Sequence, residues 1–131
     1  MVISGYDVWM INIRGNHYSK KHLTLSPDDS EFWNFSHHES ALLDYPATID
    51  YIRQTTGQPS MFFVGYSMGT TQYLILLAEK PEYNQAIRAG IKIELNFGPR
   101  CVLNFGLKMG SVKILFHNLF LFICVSRLCG N

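Results

Sequence analysis

The sequence has no cysteine before residue 101, no acidic residue after residue 94, and no apolar run of the roughly 20 residues that a bilayer-spanning helix needs. Its longest apolar candidate, Ile114 to Val125, is twelve residues interrupted by His117 and Asn118, so no membrane span is expected. The three cysteines, Cys101, Cys124 and Cys129, have irregular spacing that makes no zinc pattern, and an odd count cannot close into a full intrachain disulfide set. Met1 to Asp7 shows neither a basic stretch nor a long apolar stretch, so no secretory signal is read there. Eleven basic against ten acidic residues leave a net charge of +1, which excludes a polybasic nucleic-acid arm and an acidic tail.

What remains is ordinary globular material, 47% hydrophobic over 131 residues, enough for one domain and too short for an eight-stranded barrel with its covering helices. Composition changes near residue 95. Residues 1–94 hold all ten acids and seven of the eleven Lys and Arg, or 7 minus 10 = −3, while residues 95–131 carry +4 and all three cysteines. The chain is therefore read as two segments, 1–95 and 96–131.

Tyr6 to Ile13 is rich in aromatic and β-branched residues and predicts a buried strand running into a long polar loop. The aromatic cluster Phe32, Trp33 and Phe35 should hold that loop down. Ser36-His-His-Glu39 is a capping-box pattern, so a helix is expected to start there and to carry Ala41, Leu42, Tyr45, Ile49 and Ile52 on its buried face. Pro46 implies a kink, or a restart capped by Asp44, and Gly57-Gln-Pro59 ends the element. Asn34-Phe35-Ser36 is also an N-glycosylation triplet, relevant only to a secreted chain.

Ser60 to Val64, then Gly65-Tyr66-Ser67-Met68-Gly69, then Thr70 to Lys80 reads as strand, tight turn, helix. The five central residues also suit a plain glycine-rich turn, but the strand before and the helix after are what a nucleophile elbow requires. A nucleophilic serine must stand clear of the sheet on a strained turn, and glycines at its flanks leave room where a Cβ would strike a neighbour. The Met68 N–H, opening the helix, would face a developing oxyanion. Leu74, Leu77 and Ala78 are the expected apolar stripe of that helix, with Pro81 beyond its end. The pattern predicts an α/β architecture with parallel strands.

Gly5-Tyr-Asp-Val-Trp-Met10, Arg14-Gly-Asn16, Tyr18-Ser19, Leu25-Ser-Pro-Asp-Asp29, Glu31-Phe-Trp33, Asp44-Tyr-Pro-Ala-Thr-Ile-Asp50, Thr56-Gly57 and Gly65-Tyr-Ser-Met-Gly-Thr-Thr71, in this order, resemble the acid lipase family of α/β-hydrolases, over about residues 4–91. The resemblance implies an incomplete α/β-hydrolase fold over 1–95, with an unrelated or disordered tail at 96–131. It implies hydrolysis of neutral lipid esters, triacylglycerols or sterol esters, at a lipid interface by secreted or lysosomal enzymes, with no cofactor, metal or nucleic acid. Ser67 falls on the family's nucleophile and Met68 on the residue whose amide serves the oxyanion hole. Ile11 and Ile13 stand where relatives usually have small residues, and Tyr66 and Met68 where His and Gln are common.

The resemblance also implies a catalytic acid and then a histidine after the nucleophile. After Ser67 the chain offers no Asp, only Glu79, Glu82 and Glu94, and one histidine, His117, so an order-compatible triad Ser67–Glu94–His117 can be written. His17, His22, His37 and His38 precede the serine and read as loop or helix-surface histidines. Lys92 and Glu94 fall in a strand, Gly90 to Leu95, that should be buried and apolar. In the family a further strand, preceding Gly5, lies between the strands at Tyr6 and Met61 and supplies the second oxyanion amide. Without it two strands lack their shared neighbour. The expected product is thus an inactive lipase fragment; the alternative is a non-catalytic product that acts through association of its apolar tail.

Overall fold

The computed structural model describes residues 6–93 and 123–127, those from 92 onward by backbone only. Four strands form one sheet in the order β1-β4-β2-β3, with β1 at Tyr6–Met10, β2 at Met61–Tyr66, β3 at Ile87–Ile93 and β4 at Ile123–Arg127. β2 and β3 are parallel, from Met61 opposite Ile87 to Tyr66 opposite Ile93, with a one-residue register shift between Met61 and Phe62. β4 runs antiparallel to both β1 and β2, so those two strands point the same way.

β1 is shorter than expected. Its ladder ends at Met10, opposite Ile123, and Ile11 to Ile13 leave the sheet because the Ile13 carbonyl accepts from the Asn16 N–H and closes a turn. A β-branched run shows that a strand exists, not where its partner stops. The loop that follows is pinned as expected: Phe32 is buried, and its ring meets Trp33 edge-on at 4.9 Å.

The crossover to β2 starts with α1, His37–Glu39, on a complete capping box: the Ser36 hydroxyl accepts from the His38 N–H, and the Ser36 N–H donates to the Glu39 carboxylate at 2.7 Å. The Ser36 hydroxyl and N–H hold the Glu39 carboxyl down to about 2. A depressed carboxyl stabilises above its unfolded value and is lost as pH falls, so this cap is intact above about 4.5 and released only as pH approaches about 2. A π-helical turn, Ser40–Asp44, leads into α2, Tyr45–Thr56. Pro46 sits in the first turn of α2. Asp44 is not a cap; its own backbone is helical and its carboxylate is taken by Arg14. Gly57 ends α2 in the left-handed conformation, φ 69°.

After β2 comes α3, Met68–Glu79, then a 3-10 turn at Pro81–Ala86 and β3. β3 begins at Ile87, three residues before the expected Gly90, and places Lys92 opposite Gly65. The buried face of α3 is Thr70, Tyr73 and Leu76; Leu74 is 44% exposed and Ala78 is exposed. Tyr73 to Ala78 is apolar nearly all round, so periodicity could not choose the face. The core joins Tyr45, Ile49 and Ile52 of α2, Met61 and Phe63 of β2, and Tyr73 and Leu76 of α3, with Phe63 stacked on Tyr73 at 4.2 Å.

The largest departure is at β4. The expected gap between β1 and β2 is filled by Ile123–Arg127, part of the tail read as unrelated or disordered. Ile-Cys-Val-Ser-Arg is a competent strand sequence, and two rows of unpaired N–H and C=O groups are a strong template for it. The rest of the tail, with Cys101, His117 and Cys129, lies outside the described residues, as does Glu94 before it. Val125 pairs with Val8 on one side and Phe62 on the other. Val125→Pro should therefore cost about 3 kcal/mol and speed amide exchange in β1 and β2, while Val125→Thr should not. Unchanged exchange at Val8 and Phe62 would show that β4 holds neither neighbour.

Candidate active site

β2 ends at Tyr66 and α3 begins at Met68, so the reversal of the chain falls on one residue. Ser67 takes φ 49° and ψ −119°, the only positive φ at a non-glycine among the described residues. That region is open to glycine and strained for an L side chain, by about 1–3 kcal/mol. The side chain is exposed, standing off the end of the strand. The Ser67 carbonyl accepts from the Thr70 N–H at 2.8 Å, and the Thr70 hydroxyl donates to the Gly65 carbonyl at 3.1 Å. The first turn of α3 is thereby fixed to the last residues of β2.

Gly65 is required by contact. A Cβ there would lie 2.8 Å from the Phe63 ring and 3.2 Å from the Thr70 backbone nitrogen and Cα. Behind the turn, the buried Tyr45 hydroxyl donates to Gln72 Oε1 at 3.1 Å and reaches the Gly69 carbonyl at 3.3 Å. Burial, then the neighbouring Asp44 charge, pushes the Tyr45 phenol far above its ordinary value, so it stays a donor. Gln72 is fully buried and its Nε2 has no partner among the described residues. Sequence reading missed this pair, since neither residue belongs to an elbow pattern.

Met68 occupies the first helical position, whose N–H has no carbonyl four residues back within the helix. It also lines a cavity of about 460 Å³ together with Ile13, Asn16, His17, Trp33, Phe35 and His37. Arg14 borders the same space and is locked: its N–H donates to Asp44 Oδ2 at 2.9 Å, and Nε and Nη2 donate to Oδ1 at 2.9 and 2.8 Å. This fork ties the loop after β1 to the turn before α2, at the end of the sheet where Ser67 stands.

Ser67 thus stands in the turn between β2 and α3, and Met68 opens the helix beside it. His17 and His37 are exposed side chains on the wall of the Met68 cavity, His22 turns back to accept from the Leu25 N–H at 3.0 Å, and His38 pairs with Glu79 at 2.8 Å. Of the Ser67–Glu94–His117 triad only Ser67 falls within the described residues. Among those residues no group of three His, Cys, Asp or Glu is placed to hold a metal ion, and no helix is long and apolar enough to cross a membrane.

Residues 3–91 match the alpha/beta hydrolase fold family. Similar curated proteins include a probable lipase of Schizosaccharomyces pombe, 41% identical over 105 residues that make up 80% of this chain and 24% of that protein. Human lipase member K is 49% identical over 85 residues, 65% of this chain and 21% of its own length. Human lipase member M is 40% identical over 140 aligned positions, 98% of this chain and 33% of its own, an alignment that continues past residue 95. The chain spans about a quarter to a third of the length of the first and last of these and about a fifth of the second.

Proposed function

The chain belongs to the alpha/beta hydrolase fold family, and from that premise we propose that it carries the nucleophile of a serine lipase acting on neutral lipid esters such as triacylglycerols or sterol esters. The observation that carries this reading is Ser67 itself, exposed and held at φ 49° between β2 and α3, with Met68 opening the helix beside a cavity. The names of the relatives, lipases from yeast to human, support the substrate class.

In the proposed reaction Ser67 Oγ loses its proton to a histidine base and attacks the ester carbonyl carbon. The carbonyl π electrons move to oxygen, where the Met68 N–H and the α3 dipole stabilise the charge. Collapse expels the alcohol, which takes the proton from the base, and leaves an acyl-Ser67. Water then repeats the sequence and releases the fatty acid. The cavity wall of Ile13, Trp33 and Phe35 gives apolar surface for an ester chain close to the turn. A secreted or lysosomal setting goes with the proposed chemistry. The competing reading, a non-catalytic product associating through its apolar tail, gains nothing from β4, whose backbone is paired on both sides within the chain's own sheet.

The test is reaction with an alkyl fluorophosphonate, on this chain and on the longest natural product containing it, with the modified peptide identified by mass spectrometry. The expected adduct is on Ser67 alone. A folded product that stays unlabelled, or that labels elsewhere, overturns the proposal.

A further inference from the structure

Asn34-Phe35-Ser36 is the only Asn-X-Ser/Thr triplet in the 131 residues, and the lipase chemistry makes no use of it. The fold puts it at a tip. Asn34 terminates the 3-10 turn Ser30–Trp33 with φ −76° and ψ 63°, and the Phe35 N–H donates back to the Trp33 carbonyl at 2.8 Å, an inverse γ-turn centred on Asn34. The backbone reverses there and the Asn34 side chain is exposed. Of the two rings beside it, Phe35 is half-buried, and the exposed Trp33 is held by its Nε1, which donates to the Pro27 carbonyl at 2.7 Å. Hence the segment is held in place while its amide faces solvent.

We propose that Asn34 is an N-glycosylation site of this protein. The inference rests on the secretory setting proposed above and is independent of catalysis. The Asn34 amide nitrogen forms a bond to the first sugar carbon of a lipid-diphosphate-linked oligosaccharide, the lipid diphosphate leaves, and one amide proton is lost. One N–H remains on Nδ2, enough to keep its bond to Glu31 Oε1, now 3.1 Å. Transfer takes place on the entering chain, before the Ser36 hydroxyl is engaged in the capping box, so the cap and the acceptor triplet do not compete.

The position of the glycan has a consequence. Asn34 lines a second cavity, about 380 Å³, with Ser19, Lys21, His22 and Glu31, and is absent from the wall of the cavity that includes Met68. Arg14 and Phe35 border both. The first sugars therefore stand over the second cavity, whose wall includes neither Met68 nor Trp33, and leave the approach to Ser67 open.

The experiment is expression of the chain in eukaryotic cells behind a cleavable secretory leader. All leader-cleaved chain, secreted or retained, is digested with peptide-N-glycosidase F. The expected result is a single mobility shift on digestion, with Asn34 recovered as aspartate in the peptide map. Asn34→Gln should abolish the shift, and Ser36→Thr, which keeps both the triplet and the cap, should retain it. Leader-cleaved chain with Asn34 unmodified overturns the proposal. Fluorophosphonate labelling of Asn34→Gln, read separately, should equal that of the parent, so a lost glycan and a lost nucleophile give different results; labelling that falls with the glycan overturns the placement away from Ser67.

Discussion

Ser67→Gly is expected to unfold at a higher denaturant concentration than the parent while losing all fluorophosphonate labelling and at least about four decades of any ester hydrolysis. Both halves follow from one dihedral pair. At φ 49° and ψ −119° the serine Cβ crowds the backbone, at a cost of about 1–3 kcal/mol, and glycine meets no such crowding. Glycine also gives the unfolded chain more freedom, which takes back about 0.5–1 kcal/mol, so the net gain is about 1 kcal/mol. Ser67→Ala separates the effects: it keeps the Cβ and hence the strain, so its stability should match the parent while its labelling is lost. Should Ser67→Gly prove less stable than Ser67→Ala, the strain is not there, and the case for a turn built to display a hydroxyl fails with it.

The strain, not the motif, distinguishes a nucleophile elbow from a glycine-rich turn, and only part of it was legible in sequence. Gly65-Tyr-Ser-Met-Gly69 after an apolar run predicted strand, turn and helix, and β2, Ser67 and α3 fall where that reading puts them. Short-range chemistry was legible for the same reason at Ser36 and Glu39 and at Gly57, where each signal acts within one turn. Partners distant in sequence were not. Asp44 looked like a helix cap because nothing local announces that Arg14, thirty residues earlier, takes its carboxylate. Tyr45 and Gln72 looked like ordinary helix positions until the fold put α2 against α3. β4 was hidden for a further reason. Ile123–Arg127 is a plain β-branched stretch whose place depends on two strands having room for a third, which no local pattern encodes.

Gly65→Val is the substitution expected to be most damaging to the fold of the site, lowering stability by about 3 kcal/mol and ending reaction at Ser67. The added Cβ would meet three atoms, and what each can do decides the outcome. The Phe63 ring, at 2.8 Å, is stacked on Tyr73 at 4.2 Å and lies 6.0 Å from Tyr45, so it moves only by disturbing the core. The other two atoms, at 3.2 Å, are Thr70 backbone, fixed to Ser67 and Gly65 by the hydrogen bonds that close the elbow. Relief therefore comes by lifting the first turn of α3 from β2, which swings the Met68 N–H away from Ser67. A valine carries two further methyls into the same space. Gly57→Ala is the control, since a Cβ there meets nothing within 4 Å and pays only for φ 69°. It should lower the unfolding free energy by about 1 kcal/mol and leave labelling of Ser67 intact. Equal losses from the two variants would mean that backbone conformation alone, and not the closeness of β2 to α3, makes Gly65 a glycine.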